Sequence, residues 1–203
     1  LFNEEAVDVL RYFTKLKCSL MPYIFASAAS TASTGIPMMR AMVLDFSDDP
    51  ACDYLDRQYM LGDSLLVAPV LSEDGNVTYY LPKGSWTNFI SGEKIQGGIW
   101  RKEKHSYMSL PLLVKENSII AVGNQESKSE YDYADGVTFH IFELKDGCST
   151  SAVVTDLGGV PVMKLAASRR RNTIRIEAGN SDKPWSICLN GIAAVESVEG
   201  GCF

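Results

Sequence analysis

The sequence predicts a mainly β protein in which antiparallel β-sandwich units follow a helical segment. Three observations carry this. After Pro37 the chain breaks into short apolar or alternating runs at intervals of roughly 8 to 15 residues, punctuated by Gly, Asn and Pro. No stretch there keeps a helical period long enough to alternate with those runs, which argues against a parallel sheet. Before Pro37 the pattern is helical instead.

Asn3, followed by Glu4, Glu5 and Ala6, reads as a helix N-cap with acidic residues in the first turn, where the helix dipole favours them. Ala6, Val9, Leu10, Phe13, Leu16 and Leu20 then recur at three- and four-residue spacing and form one apolar stripe. Pro22 would cost a helix interior about 3 kcal/mol, so the run to Thr34 is either kinked there or divided into two helices. Gly35 and Pro37 end it. The strand candidates are MMRAMVLDF, LLVAPV, VTYYL, SWTNFI, LPLLV, SIIAVG, VTFHIFEL, AVVTDL, VMKLAA, TIRIEA and WSICLN. Asp49-Pro50 opens a short helix among them, and Gly97-Gly98 reads as a hairpin or bulge pair. The polar stretch at residues 123–136, GNQESKSEYDYADG, is the best candidate for a boundary between two β units.

The chain has 203 residues, 46 % of them hydrophobic and 22 % charged, so it can bury a real core and is not disordered. Nineteen Lys and Arg against 25 Asp and Glu leave a net charge of −6, which repels phosphate backbones and anionic lipids; no nucleic-acid partner is expected. Its longest apolar run, LLVAPVL at 65–71, is far short of a membrane span, so no membrane partner is expected either. The five cysteines, Cys18, Cys52, Cys148, Cys188 and Cys202, are odd in number and form no CxxC pair, which points to a reduced, cytoplasmic setting. Because Leu1 is not methionine, the chain reads as a processed product or a piece of something longer.

No residue set commits to chemistry. His105 and His140 lack a nucleophile motif to join them, and no phosphate-cradling glycine loop is present. Asp45, Asp48, Asp49, Asp53, Asp56 and Asp63 form an acidic run without calcium-loop spacing; Asp49 reads as a cap, with Asp53 and Asp56 on the exposed face of its helix. Arg169-Arg170-Arg171 reads as a solvated turn, and Asn76-Val77-Thr78 as a chance sequon. The aromatic set Tyr79, Tyr80, Trp86, Phe89 and Trp100 suits a sandwich core better than a sugar-stacking platform. The expectation is therefore no catalytic residue, no metal site and no cofactor.

YLDRQYMLGDSLLVAPVL at 54–71 resembles the signature that follows the catalytic barrel in glycoside hydrolase family 31. YLPKGSWTNFISGEKIQGG at 80–98 resembles that family's hairpins, and LPLLVKENSIIAVG at 110–123 its closing strand pair. VDVLRYFTKLKCSLMPYIF and GIPMMRAMVLDFSDDPACDYLDRQYMLGD are similar to the bacterial α-xylosidase branch. The resemblance implies that residues 1–36 are the last helical segment of a (β/α)8 catalytic barrel, 37–122 a proximal C-terminal β-sandwich, and 123–203 most of a distal β domain. It also implies a retaining parent enzyme with two catalytic aspartates about 5 to 5.5 Å apart, releasing α-linked xylose from xyloglucan-type oligosaccharides. The nucleophile's KTDFGE-like segment occurs nowhere in the 203 residues, and no position here inherits either aspartate. The expected role is structural: an accessory region that partners the parent's barrel, meets oligosaccharide only through the parent, and has homo-oligomer contacts as a further role. The rivals are an α-glucosidase parent, a free-standing carbohydrate-binding module, and an interaction fragment whose uncovered helix stripe drives self-association or helix disorder.

Overall fold

The computed structural model describes residues 3–179, 182–192 and 194–201. Leu1 and Cys202, which entered the arguments on chain origin and cysteine parity, lie outside the described residues.

Helix α1 (Glu4–Ser19) is capped as its sequence suggests: the Asn3 side chain accepts a hydrogen bond from the Ala6 amide. Pro22 divides the helical run instead of kinking it. Leu20 ends α1, and α2 (Met21–Thr34) starts with Pro22 in its first turn, where a missing N–H is harmless. Gly35, at φ +77°, closes α2 in the left-handed conformation that glycine adopts without strain.

The next run departs from its strand pattern. Only β1 (Met39–Arg40) is extended; Met42–Asp45 forms one helical turn, α3. The turn brings Arg40 within 3.1 Å of Asp45, buries Met42 completely and sets Phe46 against Trp86. Asp49 caps a 3-10 turn over Pro50–Cys52 through the Ala51 amide. That turn is shorter than the expected helix, so Asp53 is its C-cap and Asp56 lies beyond it.

Strands β2 (Tyr59–Leu61), β3 (Leu65–Val67), β5 (Ser85–Asn88), β6 (Lys94–Gln96) and β8 (Leu112–Lys115) join β1 in a six-stranded antiparallel sheet of order β1-β2-β3-β8-β5-β6. Strands β4 (Asn76–Leu81) and β7 (Ile99–Lys104) pair into an antiparallel ribbon. The core of this proximal sandwich includes Met60, Leu66, Tyr79, Leu81, Trp86 and Leu113. Three strands escape the apolar pattern. Tyr59–Leu61 and Lys94–Gln96 are too short to show it. In β7 the inward positions are Arg101 and Glu103, which tolerate the interior because they pair with each other.

Gly97 and Gly98 do not make a hairpin, because β6 and β7 belong to different sheets. They turn the chain across the sandwich. The Gly97 amide donates to the Gly84 carbonyl and the Gly98 amide to Leu81. A Cβ at Gly97 would stand 1.8 Å from the Pro82 carbonyl oxygen.

The distal part packs β9 (Ser118–Val122), β10 (Val137–Phe142) and β14 (Trp185–Asn190) against β11 (Ser149–Thr155), β12 (Pro161–Arg170) and β13 (Thr173–Ala178). Between the two sheets lie Val137, Phe139, Ile141, Val154, Met163 and Leu165. Among the described residues antiparallel pairing rules both sandwiches with one exception, the parallel pair β10-β14. A parallel neighbour needs a long crossover, and here the whole opposite sheet serves as that connection.

Candidate functional site

The two helices meet both sandwiches along a seam. One apolar cluster runs through it. Leu20 and Tyr23 from the helices, Leu65 and Val67 from β3, Leu112 and Val114 from β8, Ile120 from β9 and Phe142 from β10 all take part.

Polar groups lock the seam from two sides of the break at Leu20–Pro22. On the proximal side the Tyr23 hydroxyl donates to the Leu61 carbonyl at 2.7 Å and accepts from the Ser64 amide at 3.1 Å. Gly62 permits this close approach: its φ is +65°, and a Cβ there would lie 2.3 Å from the Tyr23 oxygen. Burial first, and the Asp63 charge second, hold the Tyr23 phenol well above its ordinary ionisation range, so it stays a neutral donor. On the distal side the Gly123 amide donates to the Ser19 carbonyl at 2.7 Å, and the Tyr131 hydroxyl donates to the Cys18 carbonyl at 2.9 Å. These bonds satisfy carbonyls that a helix C-terminus leaves orphaned. The polar stretch 123–136 therefore folds back on α1, with Tyr131 and Tyr133 in edge contact and Phe25 of α2 against Tyr133.

The stripe on α1 is only partly covered. Leu20 is buried, Ala6, Val9, Phe13 and Leu16 are half-buried, and Leu10 is 70 % exposed. Val7 beside it is exposed too, as are Ile36, Met39, Val43 and Leu44 around β1 and α3. Apolar surface of this kind marks a face that another body covers.

The residues singled out in the sequence fall apart as a group. Asp45 pairs with Arg40; Asp49 caps its turn and accepts from the Tyr80 hydroxyl at 2.8 Å; Asp63 accepts from the Ser64 hydroxyl. Burial, with help from Asp49, raises the Tyr80 phenol to about 12. Among the described residues no three His, Cys, Asp or Glu side chains come close enough to hold a metal ion. Arg169 ties its own turn by donating to the carbonyls of Leu144 and Arg171, while Arg170 and Arg171 face solvent. Asn76 opens β4, its amide nitrogen donating to Asp74. His140 lies in the middle of β10 against Phe89 and Phe142, and burial depresses its basicity. Cys18, Cys52, Cys148 and Cys188 are all free thiols, and burial, followed by Asp49 and Asp53, lifts Cys52 to about 11.

The aromatic set divides. Tyr79, Tyr80 and Trp86 are core, with the Trp86 indole N–H donating to Pro82, whereas Trp100 is 58 % exposed and meets the Tyr80 ring at a tilt. Among the described residues these rings form no continuous platform. Sequence reading passed over a polar set on the same sandwich, Arg101, Glu103 and Ser109 around His105. Arg101 bonds one Glu103 oxygen; His105 bridges the other, at 3.0 Å, to the Ser109 hydroxyl, also at 3.0 Å. Burial opposes ionisation of Glu103, but the bonds from Arg101 and His105 outweigh it and hold its carboxyl below the usual range. The i, i+2 alternation of Arg101, Glu103 and His105 on a strand was the available signal.

Seam and exposed apolar face define a pair of β-sandwich modules tied together through two helices. The family comparisons agree. The model "Glycosyl hydrolase family 31 C-terminal domain" matches residues 35–120, and "Alpha-xylosidase YicI, C-terminal domain" matches residues 132–202. The chain belongs to glycoside hydrolase family 31, as part of its C-terminal region. It is 39 % identical over 161 residues to alpha-xylosidase XylQ of Lactiplantibacillus pentosus, covering 77 % of this chain and 21 % of that protein. It is 38 % identical over 147 residues to an alpha-xylosidase of Emericella nidulans, covering 68 % and 19 %. The cycloalternan-forming enzyme from Listeria monocytogenes, solved with a pentasaccharide substrate, matches with a TM-score of 0.76 at 26 % identity, over 89 % of this chain and 18 % of that one. The chain thus spans about a fifth of the length of the curated relatives it matches.

Proposed function

We propose that this chain is the accessory C-terminal region of a retaining α-glycosidase of the α-xylosidase type, that it braces the catalytic barrel, and that the catalytic aspartates lie outside its 203 residues. The observation that carries the proposal is the exposed apolar surface on α1, β1 and α3. Leu10, Val7, Met39 and Leu44 are exposed on a chain that spans only a fifth of its relatives. The seam supports it: helices tied to both sandwiches transmit the position of any barrel continuous with α1. The substrate would be α-linked xylose, met only in the parent's pocket. The free thiols of Cys18, Cys52, Cys148 and Cys188 support a reducing, cytoplasmic compartment.

The test supplies this chain and the preceding catalytic segment of the same protein as two polypeptides. The chain alone is expected to show no turnover of an aryl α-xyloside. Mixing is expected to form a complex that raises the thermal midpoint of the catalytic segment, and Leu10→Glu weakens it. Enzyme-like turnover by the chain alone, or no association with the catalytic segment, overturns the proposal.

A further inference from the structure

The open end of the proximal sandwich holds a cleft of about 430 Å³, within the size range of small-molecule sites. Its polar lining includes Asn88, Ser91, Glu93, Arg101, Glu103 and His105, and Ile90, Ile95 and Leu110 supply an apolar wall. The lining is unusual for its position. Inward sites on a sandwich strand ordinarily carry apolar side chains, and for stability alone such residues would match or exceed a half-buried ion pair. Here Arg101, Glu103 and His105 form a hydrogen-bonded row with side-chain exposures of 27, 21 and 12 %. Deeper in the same row stands Tyr79, register partner of Arg101 and only 1 % exposed. Its hydroxyl faces Glu103 and Arg101 from beneath and supports the row without lining the cleft.

The chemistry of the lining restricts what the cleft accepts. Arg101 and Lys104 offset Glu93 and Glu103, so the cleft has no net charge to attract an ion. An anion would meet two carboxylates, and a metal ion would lack a third ligand. Adjacent donors and acceptors suit a ligand whose every polar group both donates and accepts, and the apolar wall suits C–H groups on its other face. We infer that this cleft binds a neutral polyhydroxylated ring, a pyranose unit, between the Arg101–Glu103–His105 row and the Ile90–Leu110 wall. The inference does not depend on the bracing role.

Backbone amide shifts of the full 203-residue chain, titrated with methyl α-D-xylopyranoside and methyl α-D-glucopyranoside into the millimolar range, test it. Saturable shifts with one dissociation constant are expected in residues 88–95 and 101–110. Ser91→Trp fills the rim from an exposed position without touching the ion pairs, and is expected to weaken binding at least tenfold. Should that variant not fold, Ser109→Leu narrows the same cleft. Trp100→Ala should leave the shifts unchanged. Absence of saturable shifts, shifts indifferent to both cleft variants, loss of binding in Trp100→Ala, or equal shifts from inorganic phosphate each overturn the inference.

Discussion

Tyr23→Phe deletes one oxygen atom at the seam and leaves the ring, so it opens no cavity. The deleted hydroxyl serves two backbone groups, donating to Leu61 at 2.7 Å and accepting from Ser64 at 3.1 Å, 38 and 41 residues away in sequence. Two hydrogen bonds are lost, and the Ser64 amide is left buried without its acceptor. At about 1 kcal/mol net per bond, rising to 1–3 kcal/mol for a buried group left unpaired, the expected destabilisation is about 2–4 kcal/mol. For a chain of this size that is a fall of roughly 10 °C in Tm. Urea unfolding followed by far-UV circular dichroism measures it, with the midpoint falling and the slope unchanged. A second substitution sharpens the test. Gly62→Ala places a methyl 2.3 Å from the Tyr23 oxygen at a φ of +65°, so it destabilises by itself. Because Tyr23→Phe removes the nearest of the three clashing atoms, leaving the ring Cζ and Ser27 Oγ at 2.8 Å, the double variant should lose less than the sum of the singles, with a coupling of about 0.5–3 kcal/mol. A loss below about 0.5 kcal/mol in Tyr23→Phe, with strict additivity, would show that Leu61 and Ser64 find other partners and that the hydroxyl does not hold the seam.

His140 provides a pH test. Its folded pKa is depressed below the ordinary 6.5 by burial, so the unfolded chain takes up the proton first. Its contribution to stability is complete above pH 6.5 and is lost as pH falls through the folded value, and a His140→Phe variant should flatten that limb of the urea-midpoint profile. Trp86→Ala should cost about 3–5 kcal/mol, because the ring is 1 % exposed and its N–H is bonded to Pro82. Trp100→Ala loses only a contact with Tyr80 and should cost about 1 kcal/mol or less by the same assay. Gly97→Ala drives a methyl into the Pro82 carbonyl, and since backbone rather than a flexible side chain must yield, a loss above about 2 kcal/mol is expected in thermal unfolding.

Local chemistry was legible in the sequence because it acts over a few residues. The Asn3 cap, the break at Pro22, the Gly35 stop and the Asp49 turn follow from backbone donors, proline's missing N–H and glycine's freedom at positive φ. Most strands announced themselves through apolar runs. Misreadings arose where a distant partner outweighed the local pattern. MMRAMVLDF has a strand's composition but bends after Arg40, where Arg40 and Asp45 pair and Met42 is buried. IWRKEK has too many charges for a core strand until Arg101 and Glu103 pair along its inward side. Gly97-Gly98 looks like a hairpin until β5 and β4 claim β6 and β7 for different sheets.

What only the tertiary structure decided is who meets whom. Nothing within a few residues of Tyr23 indicates that its hydroxyl will bond Leu61 and Ser64, nor does anything near Cys18 foretell Tyr131, 113 residues later. The parallel pairing of β10 with β14 and the Arg101–Glu103–His105–Ser109 row likewise emerge only once the sheets close. The sequence by itself determined most of the elements, the caps at Asn3 and Asp49 and the family motifs, because propensity and patterning are local. Seam and cleft belong to tertiary structure because their energy comes from burial, which exists only after remote segments have excluded water from one another.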